Sequence, residues 1–435
     1  MKKQPLRIIS VHSRKGGVGK TSVALCAAVQ LAASGKKVAW LELDTQGPHL
    51  AQCWPLRQDV KDVDGVPEFQ GGAFADEDGK HQLAYSARSY WNVAFYEKRD
   101  PTPEVFQKVA CTLSRRTLDY GRRALGSELG ALDWHLVEKV VDNLTLFPAS
   151  CYLKHIDATN QAILTGVAQE RLLNYFTRFR DEASEAGFDF LVLDNSPGIS
   201  IMPANVLRWV IERNGVKGAT DSGHHLWFVG GNPWWEMGLI FYELNVMAPA
   251  IIQFNPALIV NKIGLCWLRR GDFAPGTRAN LARDAEARRW ALSRLSCLPL
   301  WLGSNLSDED LTELIIRKSN LALAILAYDL GLERSMTRPG DIWGLVTYDL
   351  LERPMARPKD IETQHSRDPE EPRRRWPYWA YEFTLPFMAG ALHPLCSKAS
   401  QPENEVPAPG SYPFSRSVHE ALVRPLLART DRASA

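Results

Sequence analysis

Apolar residues along this chain fall into short continuous blocks separated by longer stretches with helical spacing. The run LRIISVH (6–12) is apolar and β-branched and predicts a buried strand. TSVALCAAVQLAAS (21–34) follows with helical spacing, and Gly35 supplies a stop signal. KVAWLEL (37–43) predicts a second buried strand ending at Asp44. Residues 51–141 are less regular: FQGGAFADEDGKHQ (69–82) reads as a loop and PEVFQKVACTLSRRTLDYGRRAL (103–125) as a helix. NLTLFPAS (143–150) returns to a strand followed by a turn. NQAILTGVAQERLLNYFTRFRDEASEA (160–186) predicts a long amphipathic helix, and FDFLVLD (188–194), HLWFVGG (225–231) and PALIVNK (256–262) predict three more strands. SDEDLTELIIRKSNLALAILAYDLG (307–331) reads as a helix with Ser307 as N-cap and Asp310 three residues on. Strands alternating with helices predict an α/β fold, a mostly parallel twisted sheet with helices on both faces.

The pattern changes after Gly340. RPMARPKDIETQHSRDPEEPRRRWPYW (353–379) is rich in proline and charge and reads as a linker or extended arm, and WAYEFTLPFMAGALHPL (379–395) is apolar and aromatic. The expected organisation is therefore an α/β domain over 1–335, with an insertion at about 51–141, and a C-terminal extension over 336–435 that docks a partner or packs on the first domain. The length of 435 residues, 45% hydrophobic and 23% charged, is ordinary for a globular protein with a large core. A formal net charge of +1 excludes a global field for nucleic acid, so any such contact needs a local patch. Seven cysteines lie scattered with no CxxC and no tight Cys/His spacing, which points to reduced thiols in a cytosol and away from zinc or iron–sulfur ligation. No apolar run of about 18 residues occurs and the N-terminus lacks a signal-peptide core, so a cytoplasmic protein is expected.

Candidate chemistry concentrates in SRKGGVGKTS (13–22), placed between the first strand and the first helix. Glycines at 16, 17 and 19 let backbone N–H groups approach phosphate oxygens that side chains would keep away. The helix that starts there turns its positive end to the same phosphates. Lys20 brings a full charge to the β and γ groups, and Thr21 offers a hydroxyl to Mg2+. Strand, loop and helix in this order make a phosphate-binding P-loop. FLVLDNSPG ends a buried strand on Asp194, the carboxylate such a site needs near Mg2+. Asp44, at the end of the strand after the loop's helix, falls near the γ-phosphate, where it orients a water; Gln46 is its neighbour. NKIG (261–264) is similar to the guanine-reading N-K-x-D, but Gly264 replaces the carboxylate that would accept from guanine's amine, which favours ATP over GTP.

KGGVGKT, an acid-x-Asp-x-Gln after the second strand, and an apolar strand ending Asp-x-x-Pro-Gly together resemble the ParA/MinD family of deviant-Walker ATPases, over roughly residues 6–330. The resemblance implies an ATP hydrolase that binds ATP and Mg2+ and forms an ATP-sandwich homodimer. Lys15 would then reach the partner's phosphates while Lys20 serves its own. It implies Lys15, Lys20 and Asp44 as catalytic residues. Lys15, Gly16, Gly17, Val18, Gly19, Lys20, Thr21, Ser22 and, loosely, Asn261 at the adenine would contact nucleotide, with Thr21, Asp44 and Asp194 at the metal. Two departures are mild: Glu42 stands for the first acid of the family's D-x-D, and Ser196-Pro197 for Pro-Pro.

Two functions are compatible with this reading. One is a positioning or partition ATPase, a molecular switch in DNA or plasmid partition that associates with a surface such as the nucleoid and is reset by a partner that stimulates hydrolysis. WLRRGDFAPGTRANLARDAEARRWALSRL (267–295), with Arg269, Arg270, Arg278, Arg283, Arg288, Arg289 and Arg294, is then either a DNA contact or a solvated, ion-paired helix face. The other is a nucleotide-switched subunit of a larger conjugation, secretion or anti-phage complex, in which RRRWPYWAY (373–381) anchors an interface unless the tail folds back on its own domain. A membrane partner is not expected: in SVHEALVRPLLARTDRASA (417–435) Pro425 interrupts an already short apolar face.

Overall fold

In the computed structural model the described residues are 5–44, 54, 56–58, 69–71, 102–113, 115, 118, 132–149, 168–198, 201–213, 223–231, 240, 254–263, 278–280, 285, 289, 322–327, 378–396 and 413–434. The first buried run forms β1 (Arg7–His12), and the alanine-rich stretch after the glycine loop forms α1 (Lys20–Ala33). Gly35, with φ of 81°, ends α1 in a left-handed turn. Its N–H bonds Ala32 O at 2.9 Å and Lys36 N–H bonds Leu31 O at 3.1 Å, a Schellman closure that only glycine enters without strain. β2 (Val38–Leu43), β6 (Leu144–Phe147), β7 (Phe190–Asn195), β8 (His224–Gly230) and β9 (Ala257–Ile263) appear where apolar runs predict strands.

Among the described residues eleven strands make one sheet in the order β10-β11-β9-β8-β1-β7-β2-β6-β5-β3-β4. The seven from β11 to β6 are parallel to their neighbours. Antiparallel strands extend both ends: β10 (Arg278–Asn280) on one side, and β5 (Cys111–Leu113), β3 (Leu56–Gln58) and β4 (Phe69–Gly71) on the other. The α/β expectation therefore holds. α1 and α3 (Trp134–Asn143) cover one face; α4 (Ala168–Glu185) and α5 (Ile201–Arg213) pack on each other. Side chains alternate along each strand, so Ile9, Val11, Trp40, Val192 and Trp227 join the α1 core.

Several local readings are corrected. The stretch 103–125 is not one helix: α2 (Pro103–Val109) stops at Ala110, whose backbone is extended, and Cys111–Leu113 pairs with β6 and β3 before Arg115 and Leu118 turn helical again. Sheet pairing overrides the helical spacing in this window. Phe69–Gly71, within the expected loop, pairs with β3. The helix read over 307–331 fails at Ala322–Ala327, which is β11, parallel to β9 at the sheet's far side. A short run of small and branched apolar residues fits a buried strand as well as a helix, and periodicity cannot separate them. Ser307 lies outside the described residues, as do Gln46, Gly264, the 353–377 arm and, of the arginine-rich segment, Arg269, Arg270, Arg283, Arg288 and Arg294. Arg278 begins strand β10 and is not on a helix face. α3, within the segment read as irregular, is a further element the sequence reading missed.

The C-terminal residues form α6 (Tyr378–Cys396), α7 (Pro413–Val418), a π-helical turn (His419–Val423) and α8 (Arg424–Ser434). Pro425 does not interrupt the helix. The helical run continues through it, and the π turn just before it, with Arg424 N–H bonded to His419 O, shifts the hydrogen-bond ladder where the proline lacks an N–H. Phe387, Met388, Ala391, Leu392, Phe414, Val418, Leu422 and Leu426 belong to the same buried cluster as α1. Gln30, fully buried on α1, donates to Ala391 O at 2.9 Å and to Ser415 O at 3.0 Å. α1 is consequently buried on almost every side: Lys20 and each residue from Val23 to Ala33. No helix among the described residues is long and apolar enough to cross a membrane.

Candidate nucleotide site

β1 runs out at His12 and the chain turns into the glycine loop over the C-terminal ends of the parallel strands. Gly17 and Gly19 have φ of 77° and 85°, values an L side chain rarely adopts. Gly19 is also the N-cap of α1, and no acidic residue occupies the helix's first turn. The first intrahelical bond is Val23 N–H to Gly19 O at 3.0 Å, so the N–H groups of the turn before it face the loop, where an anion would be received. A methyl group at Gly19 would also lie 2.4 Å from Asn261 Nδ2.

Asn261, buried on β9, donates through Nδ2 to Val18 O at 2.9 Å. The side chain that the resemblance puts at the adenine is therefore also a brace for the loop. On the other flank the turn after β7 touches the loop: Gly198 N–H bonds Ser13 O at 2.8 Å, and the Pro197 ring lies 3.9 Å from where a side chain on Gly16 would begin.

The structure brings Lys20 and Asp194 together. Lys20 Nζ donates to Asp194 Oδ1, both side chains being almost fully buried, and Nζ lies 3.5 Å from Thr21 Oγ. The strand register explains the meeting: Val11 of β1 lies opposite Asp194 of β7, and Glu42 of β2 opposite Asp194 on its other side. Asp194 Oδ2 is buried with no hydrogen-bond partner among the described residues. A carboxylate with one such oxygen, and a threonine hydroxyl that shares Lys20 Nζ as neighbour with its other oxygen, are hard oxygen donors of the kind magnesium prefers. Glu42 is already engaged: its Oε2 accepts from Ala149 N–H at 2.8 Å and ties β2 to the turn after β6. Asp44 is half-buried one residue beyond β2, at the same edge of the sheet as Asp194. Thr21 and Ser22 are half-buried, whereas Lys15 is exposed on the loop with Gly16 and Gly17.

Three polar residues that the sequence reading passed over lie just beneath the loop. Asn195 donates to Val11 O at 2.9 Å and to Ser10 Oγ at 3.2 Å, and Ser10 Oγ is 2.7 Å from His12 Nε2. The His12 ring stacks on Phe228 of β8 at 5.4 Å. Burial, and then the charge of Lys20, lowers the His12 pKa to about 3, so the imidazole is neutral. The available signal was three polar residues in otherwise apolar strands.

Residues 5–68 match the family model described as ParA: NUBPL iron-transfer P-loop NTPase. No curated protein matches the chain. Among solved structures, the cell-division ATPase MinD of Pyrococcus furiosus is similar at 16% identity, over 58% of this chain and 71% of its own, with a TM-score of 0.32. The septum site-determining protein MinD of Pyrococcus horikoshii, complexed with Mg-ADP, is similar at 13% identity over 75% of this chain and 84% of its own, TM-score 0.35. A ParA family ATPase from Chlorobium tepidum shares 11% identity over 76% and 86%, TM-score 0.36. With a KGGVGKT loop inside the matched residues and a mostly parallel sheet whose loop strand adjoins the strand ending in Asp194, the chain resembles the ParA/MinD family of P-loop NTPases.

Proposed function

We propose that this protein is an ATP-driven molecular switch in which ATP binding joins two copies of the chain and hydrolysis releases them, serving DNA or plasmid partition or intracellular positioning. The observation that carries the reading is the contrast between the loop's two lysines. Lys20 is buried under the loop against Asp194, while Lys15 is exposed on it. A lysine committed inside its own site and a second one facing outward suit one charge for the chain's own nucleotide and one for a neighbour's.

Lys20, the N–H groups of Gly16–Ser22 and the start of α1 bind the triphosphate; to do so Lys20 exchanges its Asp194 contact for the β and γ oxygens. Thr21 and Asp194, with Asp44 beside them, would hold Mg2+, which when bound neutralises phosphate charge. Asp44 orients the attacking water. Lys15 of the second copy stabilises the charge that builds up in the transition state. Asn261 contributes to the adenine end, and ATP is preferred to GTP. A partner protein stimulates hydrolysis, and DNA contact falls to the arginine-rich 267–295 segment, giving a cytoplasmic, nucleoid-associated protein.

Lys15→Ala tests the reading. It is expected to bind ATP within about tenfold of wild type, because Lys20, Thr21 and the glycine loop remain, yet to stay monomeric with a slowly hydrolysed analogue. Native mass measurement against wild type reads this directly. A mutant that dimerises as wild type does would place Lys15 in its own subunit and remove the sandwich arrangement.

A further inference from the structure

The loop's neighbours on the sheet have a polar organisation that phosphate binding does not require. β7 alternates, so Asp194 turns toward the α1 side with Phe190 and Val192, while Asn195 turns to the opposite face with Leu191 and Leu193. Ser10, His12 and Phe228 share that opposite face, since Ile9, Val11, Trp227 and Val229 belong to the α1 side. Asn195 therefore spans to β1 through two hydrogen bonds, and β1 reaches β8 through the His12–Phe228 stack. Three adjacent parallel strands are joined side chain to side chain, with His12 one residue before the loop and Asn195 one residue before the Ser196–Gly198 turn.

We propose that Ser10, His12 and Asn195 are positioning residues for the reaction, holding the glycine loop and the turn after Asp194 in fixed register across β1 and β7. The inference rests on the ATPase reading above. Asn195 is the last residue of β7, so the turn that bonds Ser13 O through Gly198 N–H starts from it. Its Nδ2 holds Val11 O, one residue before His12 and two before Ser13. The same asparagine thus fixes the turn and the root of the loop. These residues are buried at 5% exposure or less, so water does not replace a lost bond easily. Among the described residues their hydrogen bonds run to one another and to Val11 O, and none to the N–H groups of the glycine loop. Their removal should therefore spare nucleotide affinity and disturb the placement of Asp194 and the turn against the loop, where small displacements weigh heavily on rate.

The test is steady-state ATP hydrolysis and direct ATP binding on the full-length chain for wild type, Ser10→Ala, Ser10→Thr and Asn195→Ala, with unfolding midpoints measured alongside. Ser10→Ala and Asn195→Ala are expected to lower kcat about tenfold, the equivalent of one hydrogen bond, with the ATP dissociation constant within about threefold of wild type. Ser10→Thr, which keeps the hydroxyl on a strand that tolerates branching, should recover most of the rate. Ser10→Ala is the milder change and serves if Asn195→Ala does not fold. A Ser10→Ala protein with wild-type kcat, or with binding and turnover lost in parallel, would overturn the positioning role alone. A folded wild-type chain that neither binds nor hydrolyses ATP would overturn the ATPase reading and this inference together.

Discussion

His12 occupies a place where a charge is costly. Its ring is buried, stacked on Phe228 and within the field of Lys20, which lowers its pKa from 6.5 to about 3. A histidine that folds as the neutral base binds fewer protons than it does unfolded between these two values. Its contribution to stability is complete above pH 6.5 and is lost progressively as the pH falls toward 3. Between pH 6.5 and 5 the loss should be roughly 1–2 kcal/mol. His12→Gln, which does not titrate, should show a flatter dependence of unfolding free energy on pH across that window by urea denaturation; equal slopes would mean that His12 stays protonatable in the fold. Lys20, Thr21 and Asp194, which the structure brings together, could be singled out in the sequence because the P-loop pattern and the end of a buried strand mark their positions. Ser10, His12 and Asn195 could not, because their pairing depends on the β1–β7 register, and register is not written in either strand alone.

At the scale of elements, α1 is the least ordinary piece. A helix on a parallel sheet normally turns a polar face to solvent, but VALCAAVQLAA has no charge anywhere, and a helix apolar all round needs cover on all sides. That cue stands in the sequence and calls for a second layer over α1; α6, α7 and the π turn provide it. Gln30 is the polar exception within the run, and its amide fastens α1 to Ala391 O and Ser415 O. Gln30→Met keeps the volume and removes the donor. It should cost about 1–2 kcal/mol with an unchanged denaturant slope. No loss would show that packing alone holds the C-terminal helices. Two of the misread elements, Cys111–Leu113 and Ala322–Ala327, share a cause: each is a short run whose strand state comes from a neighbour's open edge, β6 for the first and β9 for the second.

For the whole molecule, the C-terminal helices and the loop's own helix share one buried cluster, so they should open as one cooperative unit. Arg429 extends the attachment to the far end of the sheet: its side chain bonds Asn255 Oδ1 at 3.1 Å and its carbonyl accepts from Arg7 at 3.4 Å. Saturating Mg-ATP is expected to raise amide-exchange protection in α1 and in α6–α8 by similar factors, through mass action on a shared unfolding event. Protection confined to the loop and α1 would show that the C-terminal helices unfold separately. What the sequence determined by itself was local and chemical: apolar runs with their periods, a glycine loop of the P-loop pattern between a strand and a helix, and carboxylates at strand ends. The tertiary structure decided which strands lie side by side, and with them the pairing of Lys20 with Asp194, the bridge from Asn195 to Ser10, and the seating of the last helices on α1. The physical reason is that backbone preference and apolar period act over a few residues, whereas these contacts join positions up to hundreds apart, and burial selects them only once the whole sheet has formed.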